Sequence, residues 1–324
     1  MEENKNYVTV DGLIKQAEEQ FKQFIKEGKY KDILLSMSNL NCYSITNQML
    51  ILAQMPQARC VNGMKVWNYN KRNIIKGQKA IKIIAPLKEI KKEDIINENG
   101  EVIDNKETEI IGYKVAHVFD ISQTEGRPLF EFKCDQKMAV ENFETIKEAL
   151  ERVPRDFKIS YQKLQEGLDG YCDLKNKEIA IKEGMPYERT LTTLIHEIGH
   201  ALSQTRYRED FKGLTKKEQL KIEEIEAESI ALVVSNRLGL STSDFNLAYI
   251  SQFADGEIEK FKSNLDVIRS VSYQLLSSIE PALQSALKPE KIKTQEIIEE
   301  NKEPEQKPAP KIKSKAKKSE VEQC

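Results

Sequence analysis

The sequence predicts an α+β protein with two domains and a disordered tail. A chain of 324 residues is long for one domain and can bury a core in each of two. Helical periodicity is followed by short β-rich segments in the first part, whereas in the second part a hairpin lies among helices. From residue 288 onward lysine, glutamate and proline dominate, with almost no aromatic residue, which favours disorder. We therefore divide the chain into residues 1–133, 136–285 and a tail at 286–324.

The amino-terminal domain is predicted to begin with helices and to continue with strands. Residues 11–28 have apolar side chains at helical spacing, with Asp11 as the cap and Gly28 at the end. A second helix is expected after Ser44 and is stopped by Pro56. The clearest strands are residues 80–85 and 113–119, and the charged segment 89–110 between them contains Asn99-Gly100, which is typical of a hairpin turn.

The second domain is predicted to place a hairpin before two helices. Residues 140–153 have helical periodicity, and residues 170–173 and 178–181 form a hairpin around a polar turn. A helix begins near Pro186 and carries the motif described below. Gly239 suits the end of the next helix, and a long amphipathic helix covers residues 258–276.

The chemistry of the chain is indicated by His196-Glu197-Ile198-Gly199-His200. Positions i and i+4 of a helix project from one face, so both imidazoles can bind one ion. Catalytic zinc takes three protein ligands and keeps one position for water, and a nearby carboxylate such as Glu197 can act as the base for that water. Two of the three histidines in the chain fall in this motif, which favours a metal site over two surface polar residues.

The third ligand is expected on the following helix, which contains Glu223-Glu224-Ile225-Glu226-Ala227-Glu228. Glu224 and Glu228 fall on an otherwise apolar face, where a carboxylate needs a partner. We assign Glu224 as the third ligand and Glu228 as the acceptor for the free N–H of a ligand histidine. Glu223 and Glu228 remain alternatives for the ligand. This set predicts a zinc-dependent hydrolase.

A separate pattern indicates nucleic acid. Residues 33–88 contain no aspartate or glutamate, although the chain as a whole has a net charge of only −2. Basic residues interleaved with aromatic rings are typical of surfaces that bind single-stranded nucleic acid, where lysines follow phosphates and rings stack on bases. The candidate DNA-binding residues are Arg59, Lys65, Trp67, Tyr69, Lys71, Arg72, Lys76, Lys79 and Lys82. The alternative is that Trp67, the single tryptophan, belongs to the core.

Other function classes are disfavoured by composition. The five cysteines are scattered and never form a CxxC pair, so neither a disulfide framework nor a cysteine-zinc site is expected. No apolar run is long enough for a membrane span, and the amino terminus has no signal-peptide pattern. We expect a cytoplasmic protein without a membrane partner.

Several motifs occur in order at residues 41–47, 50–54, 63–67, 76–83 and 118–126. They resemble those of ArdC-like antirestriction proteins of mobile genetic elements, and the similarity extends over about residues 11–276. The resemblance implies a single-stranded-DNA-binding domain joined to a zincin-like metallopeptidase domain similar to that of the ImmA/IrrE peptidases. It also implies metal ligation by His196, His200 and Glu224, with Glu197 as base. Tyr249 resembles a tyrosine that follows the metal helices, where it would stabilise an oxyanion, although a core role is the alternative.

Three functions are consistent with the sequence. The leading hypothesis is an antirestriction protein that binds single-stranded DNA and carries a zinc peptidase site for a protein or peptide substrate. A DNA-binding shield with a structural, non-catalytic metal is the second. The third is a regulatory zinc peptidase that cleaves a repressor-type protein, with the amino-terminal domain binding a protein partner instead of DNA.

Overall fold

The structure is a computed structural model that describes residues 8–96, 102–128, 134–203, 209, 212–241 and 258–300. The description is limited to the backbone in residues 90–96, 102–108, 258–261 and 287–300. The chain divides into two compact units, Met1–Leu283 and Gln284–Cys324. Among the described residues, none of the helices is long and apolar enough to cross a membrane.

Three helices precede the first strand. Helix α1 (Val10–Lys26) is capped by Thr9, whose hydroxyl accepts a hydrogen bond from the Gly12 N–H at 3.1 Å. The predicted cap, Asp11, lies inside the helix, because the threonine two residues earlier already satisfies the first free N–H group. Helix α2 (Tyr30–Leu40) was not predicted, and helix α3 (Ile45–Gln54) begins after Ser44, as expected, with Ser44 as its cap.

The strands of the amino-terminal part form two antiparallel sheets. One is three-stranded, in the order β1-β4-β3, and the other pairs β2 with β5. Residues 89–110 were predicted to form a protruding hairpin or loop, and the structure shows a hairpin. Strands β3 and β4 pair from Ile81↔Val118 to Ile96↔Val102, with one register shift between Leu87 and Lys88. The predicted Asn99-Gly100 turn of this hairpin lies outside the described residues. The elements are β1 (Val61–Gly63), α4 (Met64–Tyr69), β2 (Arg72–Ile74), β3 (Ile81–Ile96), β4 (Val102–Asp120), a 3-10 turn (Ile121–Gln123) and β5 (Thr124–Gly126).

Helix α3 covers part of the open edge of this sheet. The Asn47 side-chain amide donates to the Ile84 carbonyl and accepts from the Ile84 N–H, at 2.8 and 2.9 Å. The Gln54 amide makes the same two bonds with Lys82, both at 2.9 Å. An uncovered edge strand presents unpaired backbone groups to other chains, and these two amides satisfy them at alternate residues of β3.

Asp120 holds the end of β4 against the start of β1. Its buried carboxylate accepts hydrogen bonds from the backbone N–H groups of Arg59, Cys60 and Ser122 at 2.8–3.0 Å, and from the Ser122 hydroxyl at 2.8 Å. Burial raises the pKa of Asp120, but these four donors together lower it below its ordinary value.

The carboxy-terminal part combines a small mixed sheet with helices. The predicted hairpin is confirmed as two antiparallel strands, and a third strand pairs parallel to the second, giving the order β6-β8-β7. The elements are α5 (Gln136–Glu141), α6 (Phe143–Glu151), β6 (Lys158–Gln162), β7 (Gly170–Asp173), β8 (Glu178–Lys182), α7 (Tyr187–Ser203), α8 (Lys216–Arg237) and α9 (Ile258–Glu300).

Helices α2 and α8 join the two parts. The Tyr30 and Ser229 hydroxyls lie 3.1 Å apart, and the Asn236 amide donates to the Ser38 hydroxyl at 2.9 Å. One hydrophobic cluster includes apolar residues of both helices, among them Leu34 of α2 and Val233 of α8. The predicted boundary between residues 133 and 136 therefore lies within one compact unit, and it stays a prediction.

The predicted tail overlaps the last helix. Helix α9 continues to Glu300, and the prediction that the tail at residues 286–324 is disordered stays a prediction. Lysine, glutamate and glutamine are good helix formers, and the composition that prevents a core does not prevent a helix. Residues 301–324 lie outside the described part of the chain.

Replacing Asp120 by asparagine is expected to lower the free energy of unfolding by about 1–3 kcal/mol at neutral pH, because an amide cannot accept from all four donors. The pKa of Asp120 is lower in the folded state than in the unfolded state, where it is near the ordinary value of 3.8. The carboxylate therefore makes its full contribution to the free energy of unfolding at pH values above the unfolded-state pKa. That contribution is lost as the pH falls further.

Urea unfolding from pH 7 to pH 3 measures this difference, with Asp156→Asn as the control. Asp156 is 79% exposed and lies 3.5 Å from Lys177, so its loss should change little. Equal stability of the Asp120→Asn and Asp156→Asn proteins at pH 7 would contradict the proposed role of Asp120.

Candidate metal centre

The His-Glu-x-x-His motif lies in the carboxy-terminal half of α7. One side of this helix is fully buried and consists of Leu191, Leu194, Ile195 and Ile198. The opposite side of the helix therefore faces away from the core. His196 and His200 are one turn apart, and their Nε2 atoms approach to 3.1 Å. The predicted helix thus brings both imidazoles to one point.

Gly199 allows α8 to pack closely against this helix. A Cβ atom at position 199 would lie 3.2 Å from the Cα atom of Ala227, so a larger residue would push the two backbones apart. Ala227 lies between Glu224 and Glu228 in sequence. The close approach therefore sets how near both carboxylates come to the histidines.

The structure brings together His196, His200 and Glu224 as a group that can hold a metal ion, with their ligand atoms within 4.8 Å of one another. The two Glu224 oxygens lie 3.6 Å from His196 Nε2 and 3.5 Å from His200 Nε2. Three ligands about 2.0–2.2 Å from a tetrahedral ion lie roughly 3.3–3.6 Å from one another. Together with the imidazole pair at 3.1 Å, the donor set has the size of a metal site.

Glu228 lies on the other side of the His196 ring. Its carboxylate is 3.4 Å from Nδ1, whereas Nε2 faces Glu224 and His200. Burial lowers the pKa of His196, but its hydrogen bonds to the carboxylates of Glu224 and Glu228 raise it more, to about 10. The contacts with His196 and His200 hold the pKa of Glu224 well below its usual range. An acceptor at Nδ1 orients a ligand imidazole and fixes its tautomer.

Glu197 is held between α7 and β7. It is 7% exposed, and a Cβ atom at Gly170 of β7 would lie 3.1 Å from its Cγ atom. Burial raises the pKa of this carboxyl group, although the two histidines act in the opposite direction. A carboxylate with a raised pKa is suited to accept and return a proton near neutral pH.

Two clefts meet at these residues. One has a volume of about 450 Å³ and the other about 350 Å³, and both are lined by Gly170, His196 and Glu197. The larger cleft continues past the ion pair between Arg189 and Asp169, whose Nε–Oδ2 distance is 2.6 Å. No sequence pattern indicated this ion pair, because residues 169 and 189 meet only when the hairpin and the helix pack together.

Most of the candidate DNA-binding residues lie on the surface. Tyr69 is 85% exposed on α4, and Lys82 is half-buried on β3. Exposed side chains are also found at Arg59, Lys65, Lys71, Lys76 and Lys79. Tyr249 lies outside the described residues.

Trp67 and Arg72 differ from the prediction. Trp67 has no exposed surface, and its indole N–H donates to the Phe119 carbonyl at 3.0 Å, so the prediction that its ring stacks on bases is wrong. The Arg72 guanidinium donates to the Thr124 hydroxyl, the Thr124 carbonyl and the Arg127 carbonyl at 2.7–2.8 Å. These bonds tie β2 to β5, so Arg72 is a structural residue of the small sheet.

Comparison with protein families supports the resemblance found in the motifs. Residues 5–119 match the family model described as the N-terminal domain of anti-restriction factor ArdC. This part of the chain is therefore similar to the N-terminal domain of ArdC. The match covers α1 to α4 and nearly all of the sheet β1-β4-β3, and it ends before the metal centre.

Relatives of the whole chain are distant. An uncharacterized protein of Bacillus anthracis is 23% identical over 301 residues, which cover 80% of this chain and 49% of the relative, so the chain spans about half the length of that protein. The metal-free structure of the antirestriction ArdC protein from plasmid R388 is 15% identical and covers 74% of this chain and 86% of its own, with a TM-score of 0.41. The Mn(II)-bound structure of the R388 ArdC protein is 16% identical over 75% of this chain and 84% of its own, with a TM-score of 0.38.

Replacing Gly199 by alanine is expected to weaken metal binding, because the new methyl group would separate α7 from α8 and move Glu224 away from the imidazoles. Overpacking of this kind typically costs about 1–3 kcal/mol of stability as well. Zinc affinity measured by competition with a chelating dye, together with the thermal midpoint, tests both effects. The control is Gly63→Ala, where the added Cβ atom meets no atom within 4 Å. Wild-type zinc affinity in Gly199→Ala would show that the helix contact does not set the ligand geometry.

Proposed function

We propose that this chain is an antirestriction protein that binds single-stranded DNA through its ArdC N-terminal domain and carries a zinc metallopeptidase site in its carboxy-terminal part. The observation that carries the enzymatic half is the convergence of His196, His200 and Glu224 beside the buried carboxyl group of Glu197. The DNA-binding half is supported by the family match and by the acid-free segment 33–88 within it.

Zinc is the ion that this donor set suits best. Two imidazoles and one carboxylate are the protein ligands of several catalytic zinc sites, whereas Mg²⁺ and Ca²⁺ prefer oxygen ligands throughout. When bound, the ion would supply Lewis-acid chemistry and lower the pKa of a water molecule. The carboxylate of Glu228 would orient His196 by accepting from its Nδ1–H group.

Glu197 is the proposed general base and acid. Its carboxylate would take a proton from the attacking water and return it to the leaving amine of a cleaved peptide. The side chain lies against β7 and lines both clefts, so it faces the space on each side of the metal ligands. This position suits a group that serves both halves of one hydrolytic reaction.

The substrate is proposed to be an extended peptide. β7 is the outer strand in the order β6-β8-β7, and its Gly170 lines both clefts. A peptide can add to such an edge as a further strand through backbone hydrogen bonds. The two clefts would then accept side chains on either side of the bond to be cleaved.

DNA binding is proposed to depend on phosphate contacts from exposed basic residues. Lys65, Lys71, Lys76 and Lys79 have exposed side chains, and no carboxylate occurs between residues 33 and 88. Lysines that contact phosphates release counterions, and this gives affinity without sequence preference. A cytoplasmic location, as predicted from the sequence, would place the protein where restriction enzymes meet incoming DNA.

Glu197→Gln is expected to abolish peptide hydrolysis and to leave zinc affinity and DNA binding unchanged, because glutamine keeps the shape of the side chain and cannot take a proton. Cleavage of denatured casein and of a peptide library by zinc-loaded protein measures the loss. The matched control is Glu183→Gln, an exposed glutamate after β8. Undiminished cleavage by zinc-loaded Glu197→Gln protein would exclude Glu197 as the base.

Full antirestriction activity in a cleavage-deficient variant would favour a DNA shield with a structural metal.

Single-stranded DNA is expected to bind more tightly than the matching duplex, with an affinity that falls steeply with salt. The logarithmic slope should be about −0.7 for each phosphate contact. Replacing Lys65, Lys71, Lys76 and Lys79 by glutamine should reduce that slope, whereas the same change at Lys137, Lys163 and Lys175, exposed residues of the carboxy-terminal part, should not. Arg72 is left intact because its hydrogen bonds hold β5. An affinity independent of salt would argue for a protein partner instead.

A further inference from the structure

The outer side of the sheet β1-β4-β3 has an unusual composition. Ile81, Ile83 and Val118 point into the core and are buried, so alternate residues of β3 and β4 point outward. The outward set, which we name the outer sheet face, has a half-buried centre at Ile84 and Val115, which pack against the core. Its other members are Lys82, Pro86, Lys88, Ile110, Ile111, Tyr113 and His117. The solvent side of an antiparallel sheet is ordinarily polar, whereas this one presents rings and aliphatic groups.

These side chains form cross-strand pairs. Lys82 is opposite His117 and Pro86 is opposite Tyr113. The register shifts between Leu87 and Lys88, which leaves Ile111 as the additional residue of a β-bulge. Tyr113 is 58% exposed and Ile111 is 60% exposed. Contiguous exposed apolar surface of this kind marks an interaction site more often than a solvated surface.

The charge of the face identifies the partner. Lys82 and Lys88 lie at its two ends, roughly 20 Å apart along the strand. Among the described residues, no aspartate or glutamate occupies an outward position of β3 from Lys82 to Lys88. The same holds for the paired stretch of β4, from Ile110 to His117. The nearest carboxylates, Glu89 and Glu109, are paired with each other and alternate onto the opposite side of the sheet. A polyanion with flat apolar groups fits this combination of rings and positive charge.

We infer that the outer sheet face is the surface on which single-stranded DNA lies, with bases stacked on Tyr113 and His117 and phosphates near Lys82 and Lys88. This inference rests on the proposed DNA-binding function and assigns it to a surface that does not include Trp67. Tyr113 and His117 are four residues apart on β4, about 13 Å, so each ring contacts a different base. Stacking on aromatic rings binds single strands without a strong sequence preference.

The test compares ring and hydroxyl at one position. Tyr113→Ala should weaken binding to a fluorescent oligothymidine by about 5- to 150-fold, the range for loss of one base–aromatic stack. Tyr113→Phe keeps the ring and should bind as the wild type does. Tyr273→Ala removes a tyrosine that is 46% exposed on α9 and should have no effect. Thermal midpoints of the variants confirm that these surface changes leave the fold intact.

The salt dependence separates rings from charges. Tyr113→Ala should leave the slope of affinity against salt unchanged, whereas Lys82→Gln with Lys88→Gln should reduce it by about 1.4, or 0.7 for each phosphate. His117→Ala should weaken binding in the same direction as Tyr113→Ala.

Three outcomes overturn the assignment, and they are distinguishable from one another. If the wild type binds no single-stranded DNA, the DNA half of the proposed function fails together with this inference. If the wild type binds and Tyr69→Ala weakens binding while Tyr113→Ala does not, the surface is α4 and this inference alone fails. If Tyr113→Ala instead abolishes self-association measured by sedimentation and leaves DNA affinity unchanged, the face holds a second copy of the chain.

Discussion

The candidate metal centre depends on the close contact between Gly199 of α7 and Ala227 of α8. Three potential ligands lie on two helices that are separate in sequence, and only a short distance between the helix backbones brings Glu224 to the imidazoles. A residue without a Cβ atom inside the motif allows that distance. The same contact also sets the position of the Glu228 carboxylate beside His196 Nδ1. One packing interaction therefore positions both Glu224, the candidate ligand, and Glu228, the carboxylate beside His196.

Helix α8 is held from its other side by the amino-terminal helices. Tyr30 and Ser38 of α2 bond to Ser229 and Asn236, and Arg237 donates to Asn39 at 2.9 Å. The helix that carries Glu224 is therefore part of a core shared with the residues that match the model of the ArdC N-terminal domain. Such packing places the helix of the candidate ligand directly against the amino-terminal part of the chain.

Burial distinguishes the two kinds of aromatic residue in the amino-terminal part. Trp67 and Tyr69 are two residues apart in a basic segment and were predicted to contact DNA together, yet the first is fully buried and the second is 85% exposed. Tyr113 and His117 were not among the candidate residues, although Tyr113, Val115, His117 and Phe119 occupy every second position of a predicted strand. Such a row does not indicate which way it faces, because an outward row of apolar residues resembles a buried one until the other side of the sheet is known.

Local sequence patterns were sufficient to predict several elements, because each depends on residues close in sequence. These elements are the helices around His196 and Ser44, the β7–β8 hairpin, the β3–β4 hairpin and the i, i+4 histidine pair. Local patterns left Glu223, Glu224 and Glu228 as competing ligands, since each lies on α8 and their distances to α7 are a matter of packing. The tertiary structure places Glu224 at the two Nε2 atoms and Glu228 at Nδ1. It also assigns Trp67 to the core and Arg72 to the β2–β5 junction. Contacts between residues far apart in sequence depend on how whole elements pack, and a periodic pattern along one element carries no information about its neighbour.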